Sequence, residues 1–492
     1  MINQPGNSAS DITVRRNVAV IGGGISGLVA AYKLASANRQ LSVHIYEEND
    51  LFGGKVRTSP FAGKLVDEAA DAFLARNPAL VDLCKELGLA SQLIPPTNLG
   101  PLLLSDNQLH ALPSPSVMGV PTSLRSLFTS TAISKHGAAR ALLDLLPRTP
   151  KHNVDASVST TTQSLGNEVT EKLIEPLIGG INAGRTNDLS ALSTAPQIAA
   201  LASGRNGLIR NARKAQKRAS GDGPVFLAPG YGMSTLTNTL VSRLVELGVT
   251  LHARTTVNTL TRSIDGWALN TSSPTKVPPF DAVVFATPAF ATASMLGDVD
   301  AHVAQQLNRI RYASVAMVRL AYKRKHVSHN LEASGYLSVP QQGRLFTAAS
   351  FASSKWERLG IDDTTIFRLS AGRIDDDRAT HMSDARLIAE ATKELAFSVG
   401  ASSAPIDADV IRWPNAFPQY DVGHSQLIRD IENDLARHPG LFLIGAATHG
   451  LGLASCAATA TLGASQVLDH LGVKTHVDTA SQAQKSVRSS RR

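Results

Sequence analysis

Cysteine is scarce in this sequence, and its scarcity argues against two classes of protein. Only Cys84 and Cys456 occur among 492 residues. They lie too far apart to suggest a disulfide framework or a clustered metal site, so no metal is expected and a reducing compartment is favoured. Residues 1–16 contain no apolar run of the kind that a secretory signal or an N-terminal anchor needs, so the cytoplasm is the expected location.

Charged and aromatic residues are also few, at 18% and 5% of the chain, whereas 43% of the residues are apolar. This composition predicts a globular protein with a large core and more than one lobe. Half of the formal net charge of +8 comes from residues 473–492, a polar tail predicted to be disordered. Basic and aromatic residues do not alternate along one face, so no nucleic-acid partner is expected.

One stretch with little charge, 441–468, is long enough to cross a bilayer, and His449 and Cys456 are its only ionisable residues. Its apolar character comes mainly from small residues, and the HGLG sequence at 449–452 interrupts it. We therefore expect a buried strand, a glycine loop and a helix in place of a membrane span.

A glycine motif follows the first apolar run of the chain. The run NVAVI at 17–21 leads directly into Gly22, Gly24 and Gly27, which form a G-x-G-x-x-G pattern, and a helical sequence follows. In a dinucleotide-binding unit the first glycine permits a tight turn, the second admits a pyrophosphate and the third allows the helix to pack on the strand. The pattern predicts a Rossmann-type unit at this position.

A second predicted strand, 41–46, ends at Glu47, twenty residues beyond Gly27. A carboxylate at this point can accept hydrogen bonds from the hydroxyl groups of a ribose, which disfavours NADP. The residues of this unit leave NAD and FAD as alternatives. The next segment, LFGGKVRT at 51–58, resembles the segment that follows the second strand in the flavin amine oxidase superfamily, and this resemblance implies FAD.

Five further segments narrow the resemblance to the oxygen-dependent protoporphyrinogen and coproporphyrinogen III oxidases. The sequence RWPNAFPQYDVGH is the most specific of them. The segments are 173–184 (LIEPLIGGINAG), 281–288 (DAVVFATP), 350–356 (SFASSKW), 412–424 (RWPNAFPQYDVGH) and 445–456 (GAATHGLGLASC). The likeness covers nearly the whole chain between Asn17 and Leu471.

The chain also departs from the family pattern near the expected cofactor site. Ala69 and Ala70 stand where relatives often have a glycine, and Ala454 and Ser455 replace other residues before Cys456. The ATATLGA sequence that includes Thr459 replaces the family's usual SGR. These departures concern the flavin contacts and the activity and leave the expected fold unchanged.

The expected fold class is α/β with mixed α+β character: a discontinuous Rossmann-type FAD-binding domain, a mixed-sheet substrate domain and a helical insertion. The predicted divisions are a disordered N-terminus (1–16), FAD-binding parts (17–76, 221–295 and 426–472), a helical insertion with the substrate lobe (77–220), a substrate-binding domain (296–425) and a basic disordered tail (473–492).

The residues predict part of the site, and the resemblance implies the rest. The predicted cofactor contacts are Gly22, Gly23, Gly24, Ser26, Gly27, Glu47, Glu48, Gly54, Lys55, Arg57, Val257, Trp413, Ala446 and Ala447. The predicted substrate contacts are Arg57, His424 and His449. No side chain is assigned as a catalytic residue, because N5 of a non-covalently bound FAD carries the chemistry.

The resemblance implies oxidation of coproporphyrinogen III to coproporphyrin III by molecular oxygen, with release of hydrogen peroxide, in haem biosynthesis. Alternatives that stay open are protoporphyrinogen IX as the substrate, another flavin amine oxidase-like reaction, and a flavoprotein that has lost catalysis. Enzymes later in the haem pathway are candidate partners. For the helical insertion, peripheral contact with a membrane and a solvated cap both remain open.

Overall fold

The computed structural model describes residues 16–146, 155–218, 223–275 and 277–473. The predicted disordered ends, 1–16 and 473–492, lie outside these ranges except for Arg16 and Val473. The strands are β1 (Asn17–Ile21), β2 (Ser42–Tyr46), β3 (Thr58–Phe61), β4 (Lys64–Asp67), β5 (Phe73–Leu74), β6 (Leu93–Ile94), β7 (Leu102–Ser105), β8 (Gln108–Ala111), β9 (Ser116–Val117), β10 (Val120–Pro121), β11 (Phe226–Pro229), β12 (Thr250–His252), β13 (Val257–Ser263), β14 (Gly266–Thr271), β15 (Ala282–Phe285), β16 (Tyr312–Lys323), β17 (Gly335–Ser338), β18 (Phe346–Phe351), β19 (Thr364–Ala371), β20 (Asp407–Pro418) and β21 (Leu441–Leu443).

The helices are α1 (Ile25–Ala37), α2 (Pro78–Glu86), α3 (Leu124–Thr129), α4 (Lys135–Ala141), α5 (Val158–Thr162), α6 (Asn167–Val169), α7 (Glu175–Asn182), α8 (Ala191–Thr194), α9 (Pro196–Ala202), α10 (Leu208–Arg218), α11 (Ser234–Glu246), α12 (Ala289–Leu296), α13 (Ala301–Asn308), α14 (Ala352–Lys355), α15 (Arg378–His381), α16 (Asp384–Val399), α17 (His424–Leu435) and α18 (Leu453–His470). Short 3-10 helices occupy Ala90–Gln92, Leu142–Leu145, Gln163–Leu165, Arg324–His326, Pro340–Gln342 and Glu357–Leu359, and Thr170–Ile174 forms a π-helical turn.

A five-stranded parallel sheet gathers distant parts of the chain in the order β12-β2-β1-β15-β21. The predicted FAD-binding parts 221–295 and 426–472 therefore add strands β12, β15 and β21 to the sheet that contains β1 and β2. The segment 441–468 forms strand β21, a loop and helix α18, as its sequence predicted. The Rossmann-type unit is discontinuous in sequence and continuous in space.

Strand β1 shows why an apolar run forms the centre of this sheet. Val18 and Val20 pack into one core cluster with helices α1, α11 and α18. Ala19 and Ile21 pack into a second cluster with the β13–β14 hairpin and helices α12, α13 and α17. Because both faces of the strand are buried, alternate residues are apolar on both sides, which is typical of a parallel strand covered by other elements.

A seven-stranded mixed sheet forms the second layer, in the order β20-β16-β19-β18-β17-β7-β8. Its β7 and β17 strands are parallel, and the other neighbours are antiparallel. Strands β7 and β8 come from the segment 77–220, so this segment contributes two strands to the sheet in addition to its helices. The predicted domain boundaries stay predictions.

The helices between α3 and α10 share a separate core cluster, which includes Leu127, Ile174 and Leu208. Helix α2 begins at Pro78, with the side chain of Asn77 accepting a hydrogen bond from the amide of Ala79 at 3.2 Å. An asparagine N-cap followed by proline at the first helical position is a favoured way to begin a helix. Within the described ranges, no helix combines the length and the apolar character needed to cross a membrane.

Candidate functional site

A glycine loop (22–27) joins strand β1 to helix α1. Gly22 has a φ of +103°, and a Cβ there would lie 2.9 Å from the carbonyl oxygen of Ala286. A Cβ at Gly27 would lie 1.9 Å from the carbonyl oxygen of Gly22. A side chain at either position would collide with the backbone, so both positions require glycine, as the motif predicted.

Gly24 is different, because no protein atom of the described residues lies within 4 Å of a Cβ built there. Gly24 is also the N-cap of α1, and no side chain bonds to the first amides of this helix among the described residues. Free amides at a helix N-terminus attract anions. The space beside Gly24 thus fits a pyrophosphate and would be filled by a larger side chain.

The carboxylate of Glu47 is buried beside this loop. Its Oε2 accepts a hydrogen bond from the amide of Gly23 at 2.7 Å, and its Oε1 accepts from the side-chain amide of Asn49 at 2.6 Å. The neighbouring Glu48 is exposed. Of the two predicted acids, Glu47 is therefore the one that is fixed against the glycine loop.

Val257 is held near Glu47 through the backbone. The amide of Thr255 donates to the carbonyl oxygen of Glu47 at 2.8 Å, two residues before β13 begins at Val257. Val257 itself is buried in the core cluster that contains Ile21 and Tyr46. The structure therefore places the start of β13 beside the end of β2, although 210 residues separate Val257 from Glu47 in the sequence.

The GGKVR segment packs directly on the glycine loop. The amide of Gly53 donates to the carbonyl oxygen of Gly23 at 2.8 Å, and a Cβ at Gly54 would lie 3.1 Å from Cα of Gly24. Nε of Arg57 donates to the carbonyl oxygen of Gly54 at 3.0 Å. The structure thus brings the predicted contacts at Gly54 and Arg57 to the same place as Gly24.

Strand β20 of the larger sheet reaches the same place. The guanidinium of Arg57 lies 5.8 Å from the ring centroid of Trp413, and Nζ of Lys55 donates to the carbonyl oxygen of Ala416 at 3.0 Å. Nε1 of Trp413 is buried and has no hydrogen-bond partner among the described residues. A buried donor of this kind indicates a missing acceptor, which a ligand can supply.

Lys55 lies beside this space, and its protonation is affected by the surrounding protein. Its side chain is accessible to solvent, yet desolvation lowers the pKa of its ammonium from the ordinary value, with the thiol of Cys456 acting in the opposite direction. Protein atoms around the ammonium therefore disfavour its charged form, although part of the side chain reaches solvent.

A second loop (445–452), which we name the closing loop, links β21 to α18 and lies against the glycine loop. A Cβ at Gly445 would contact the side chain of Ser26 at 3.5 Å. Ala447 is buried, and the carbonyl oxygen of Ala446 accepts a hydrogen bond from the hydroxyl of Tyr420 at 2.7 Å. The structure thus brings together Ser26, Ala446 and Ala447, which were predicted as cofactor contacts.

The two predicted substrate histidines lie in different environments. His424 is buried, its Nε2 bonds to the carbonyl oxygen of Thr448 at 3.1 Å, and burial lowers its pKa. His449 is exposed and pairs with Glu432 at 2.8 Å, and this hydrogen bond raises its pKa. Neither histidine bonds to Arg57 among the described residues, so the structure does not gather the three predicted substrate contacts into one cluster.

The larger sheet has one covered face and one open face. On the covered face, the cross-strand partners Val318, Leu369, Ala349 and Tyr336 are all buried and pack with helix α16. On the other face, the cross-strand partners are Met317, Ser370, Ala348 and Leu337, and all four are only partly buried.

The open face is the one that meets the cofactor cleft. Ile411 pairs with Met317, and Trp413 follows Ile411 by two residues on β20, so both belong to the open face. Trp413 in turn contacts Arg57. The open face therefore lies beside the glycine loop, and its accessible side chains at Met317, Ala348, Leu337 and Ser370 are small or apolar.

One buried ion cluster in this region was not found from the sequence. The carboxylate of Asp71 bonds to Nζ of Lys355 at 2.9 Å, to Arg368 at 2.9 Å and to the indole of Trp356 at 3.3 Å. Desolvation opposes the charge, but Lys355 and Arg368 outweigh it and hold the pKa of Asp71 below its ordinary value. The SSKW sequence belongs to a family-like segment, whereas its partner Asp71 belongs to no such segment and could not be singled out from the sequence.

Fold and site together define a class of protein: a Rossmann-type dinucleotide-binding protein in which one face of a second, mixed sheet borders the cofactor cleft. Comparison with known proteins narrows this class. The family described as flavin containing amine oxidoreductase matches residues 25–468. The chain belongs to this family, and it is therefore an oxidoreductase with a flavin cofactor.

Similar proteins cover almost the whole chain. It is 29% identical to the coproporphyrinogen III oxidase of Bacillus subtilis (strain 168), over 93% of this chain and 99% of that protein. It is 32% identical to the coproporphyrinogen III oxidase of Mycobacterium leprae (strain TN), over 90% of this chain and 96% of that protein.

Among solved structures, a protein from Exiguobacterium sp. 255-15 that was assigned as a protoporphyrinogen oxidase superposes with a TM-score of 0.84 at 27% identity, covering 93% of this chain and 99% of the other.

Proposed function

We propose that this chain is an FAD-dependent oxidase that converts coproporphyrinogen III to coproporphyrin III in haem biosynthesis. Molecular oxygen is the electron acceptor and hydrogen peroxide is the second product. The observation that carries the proposal is the match, over at least nine-tenths of each chain, to proteins named coproporphyrinogen III oxidase. The site supports it with open space for a pyrophosphate beside Gly24 and with an accessible sheet face next to that space.

FAD is held without a covalent bond in this proposal. Gly24 leaves room for the pyrophosphate, the first amides of α1 bind its charge, and Glu47 accepts hydrogen bonds from the ribose. Lys55, Arg57, Trp413 and the closing loop surround the space that the flavin ring needs. The contacts of Lys55 and Arg57 with β20 border this space on one side.

When bound, a flavin accepts a hydride from a carbon atom and returns the electrons to oxygen. The side chains of this chain bind and orient the substrate. Coproporphyrinogen carries four carboxylates around an apolar macrocycle, so it needs cations at the edge of its site and an apolar surface beneath it. Arg57 and Lys55 at the cleft and the open face of the larger sheet provide these two features.

A second substrate, protoporphyrinogen IX, has support of its own. The chain is 25% identical to protoporphyrinogen oxidase 2 of Arabidopsis thaliana, over 93% of this chain and 94% of that protein. We favour coproporphyrinogen because the relatives that bear its name are more similar in sequence, at 28% to 32% identity.

The proposal is tested by supplying the purified, FAD-loaded protein with each porphyrinogen in parallel. Porphyrin fluorescence, oxygen uptake and peroxide are followed together, and coproporphyrinogen is expected to react faster. Faster turnover of protoporphyrinogen would reverse the choice of substrate. If the loaded protein oxidised neither compound, a flavoprotein without this activity would become the better description.

Denaturation tests the non-covalent attachment of the cofactor. Unfolding the yellow protein is expected to release FAD into the supernatant, since no histidine or cysteine lies in an evident attachment motif. A yellow protein pellet with a colourless supernatant would contradict this part of the proposal.

Peripheral contact with an anionic membrane belongs to the same proposal. Helix α10 buries Leu208, Ile209 and Ala212 and exposes Arg210 and Lys214 on its other side. The neighbouring segment exposes the side chains of Leu142, Leu143 and Leu146. Cations beside exposed leucines suit an anionic lipid surface.

Co-sedimentation with vesicles tests this contact. Binding to phosphatidylglycerol vesicles and its loss in an Arg210→Glu, Lys214→Glu variant would support the contact. Equal sedimentation with and without vesicles would leave the helices as a solvated cap.

A further inference from the structure

The closing loop has few bonds of its own. It contains no regular secondary structure, and Gly445 and Gly450 have φ angles of +108° and +132°. Within the loop, the hydroxyl of Thr448 donates to the carbonyl oxygen of Gly445 at 2.9 Å. A loop with flexible glycines and little internal bonding needs outside contacts to keep one conformation.

The hydroxyl of Tyr420 supplies two such contacts. It donates to the carbonyl oxygen of Ala446 at 2.7 Å and accepts from the amide of Gly450 at 2.8 Å. It therefore bridges two points of the loop that lie four residues apart. Burial raises the pKa of Tyr420, so the hydroxyl keeps its proton and its role as a donor.

His424 supplies a third contact between those two points. Its ring stacks on the ring of Tyr420 with centroids 4.0 Å apart and an interplanar angle of 12°. Its Nε2 lies 3.1 Å from the carbonyl oxygen of Thr448, and since a carbonyl oxygen only accepts, Nε2 carries the proton. One face of the closing loop is thus bonded at 446, 448 and 450 to a single stacked pair.

The stacked pair stands on a base that does not depend on the closing loop. The carbonyl oxygen of Tyr420 accepts from the amide of Ser190 at 2.8 Å, and the side-chain amide of Gln419 donates to the carbonyl oxygen of Asn182 at 3.0 Å. Asp421 forms a two-bond ion pair with Arg311, at 2.9 Å for each bond. The PQYDVGH segment therefore connects the end of helix α7 and the residue before strand β16 to the closing loop.

We propose that Tyr420 and His424 are positioning residues that hold the backbone of 446–450 in the conformation that receives the flavin. This inference rests on the proposed function, because it takes the closing loop as part of the flavin site. It gives the PQYDVGH segment a physical role: the tyrosine and the histidine act through the loop, and neither needs to transfer a proton.

Tyr420→Phe tests the inference, because it removes only the hydroxyl and keeps the stacked ring. Two hydrogen bonds are lost, so the dissociation constant of FAD, measured by flavin fluorescence on dilution of the holoenzyme, is expected to rise about tenfold. In the flavin-free protein, hydrogen exchange of the Gly450 amide is expected to become faster, because this amide loses its acceptor.

Tyr336→Phe is the matched control. Tyr336 is also a buried tyrosine with a bonded hydroxyl, and this hydroxyl contacts Glu394 and Ser398 of helix α16. It lies on the covered face of that sheet, away from the closing loop, so FAD affinity and exchange of the Gly450 amide are expected to stay unchanged. A His424→Phe variant, which keeps an aromatic ring for the stack, is expected to weaken FAD binding less than Tyr420→Phe, because one bond is lost.

Unchanged FAD affinity in Tyr420→Phe, with or without faster exchange, would overturn the inference. An equal loss of affinity in Tyr336→Phe would also overturn it, since the effect would then follow from general destabilisation. The proposed function fails separately. A wild-type protein that binds FAD but oxidises no porphyrinogen would refute the reaction and leave this inference intact.

Discussion

The two sheets that meet at the candidate site differ in how their faces are covered. In the five-stranded sheet, β1 has a core cluster on each side, and Val18 to Ile21 are all buried. In the seven-stranded sheet, helix α16 covers one face, whereas Met317, Ser370, Ala348 and Leu337 on the other face remain partly accessible. The first sheet holds the glycine loop in place, and the second leaves one face accessible beside it.

This difference predicts which property of the protein each substitution should change. A substitution beside the parallel sheet acts on one fixed loop and on the cofactor alone. A substitution between the sheets acts on the contacts that join them, and one at the surface acts on neither.

The largest effect is expected for Gly24→Val at the glycine loop. Its side chain would fill the space beside Gly24 and not clash with protein atoms, so the variant should fold while FAD binding is lost. The measurement is the FAD content of the purified protein. Gly100→Val is the control, because a Cβ at Gly100 also meets no atom within 4 Å, and it should retain full FAD. Stoichiometric FAD in Gly24→Val would remove the loop from the site.

Asp71→Asn is expected to have the next largest effect, because it leaves Lys355 and Arg368 without their common counter-ion. The free energy of unfolding, measured in urea, should fall by about 3 kcal/mol at pH 7. Asp82→Asn is the control: its partner Lys85 is exposed, and the loss should be under about 0.5 kcal/mol.

The same pair of proteins tests the pH dependence. Because the pKa of Asp71 is lowered in the folded state, its stabilisation is present above the unfolded value of about 4 and is lost as the pH falls toward the folded value. The difference in stability between wild type and Asp71→Asn should therefore shrink below about pH 4. A constant difference between pH 7 and pH 3 would show that the charge of Asp71 is not what matters.

Arg57→Ala should act on the cleft where the two sheets meet. It removes the hydrogen bond to Gly54 and the contact with Trp413, each a modest interaction of about 1 kcal/mol. Turnover or FAD retention should fall severalfold while the unfolding midpoint hardly changes. Arg243→Ala, which breaks a surface pair with Glu246, should leave both unchanged. Normal kinetics at full FAD occupancy would exclude Arg57 from the site.

The smallest effect is expected for His449→Gln. Its pair with Glu432 is exposed, so its loss should cost under about 1 kcal/mol and turnover should stay within about twofold. The pKa of His449 is raised in the folded state, so this small stabilisation is present below about pH 6.5 and disappears as the pH rises through the folded value. A severalfold rise in KM would instead support the prediction that His449 contacts the substrate.

The sequence predicted the parts of the site whose residues are neighbours in the chain. The strand, the glycines, the helix and Glu47 lie within about thirty residues of one another, and each has a local signal: an apolar run, a fixed spacing, an acid at a strand end. A similar apolar run marks the strands β15 and β21, because a parallel strand with two covered faces is apolar at successive positions.

The tertiary structure alone decided what depends on distant residues. Asp71 and Lys355 are 284 positions apart, and neither carries a mark of its partner. His424 and His449 occur in family-like segments alike, yet packing buried the first against Tyr420 and left the second at the surface.

The open face of the larger sheet could not be predicted from the sequence either, because Met317 and Ala348 are as apolar as core residues. Local sequence fixes backbone conformation and the spacing of short motifs. Which side chains are buried, which ions pair and which sheet face stays accessible depend on the segments that the folded chain brings together.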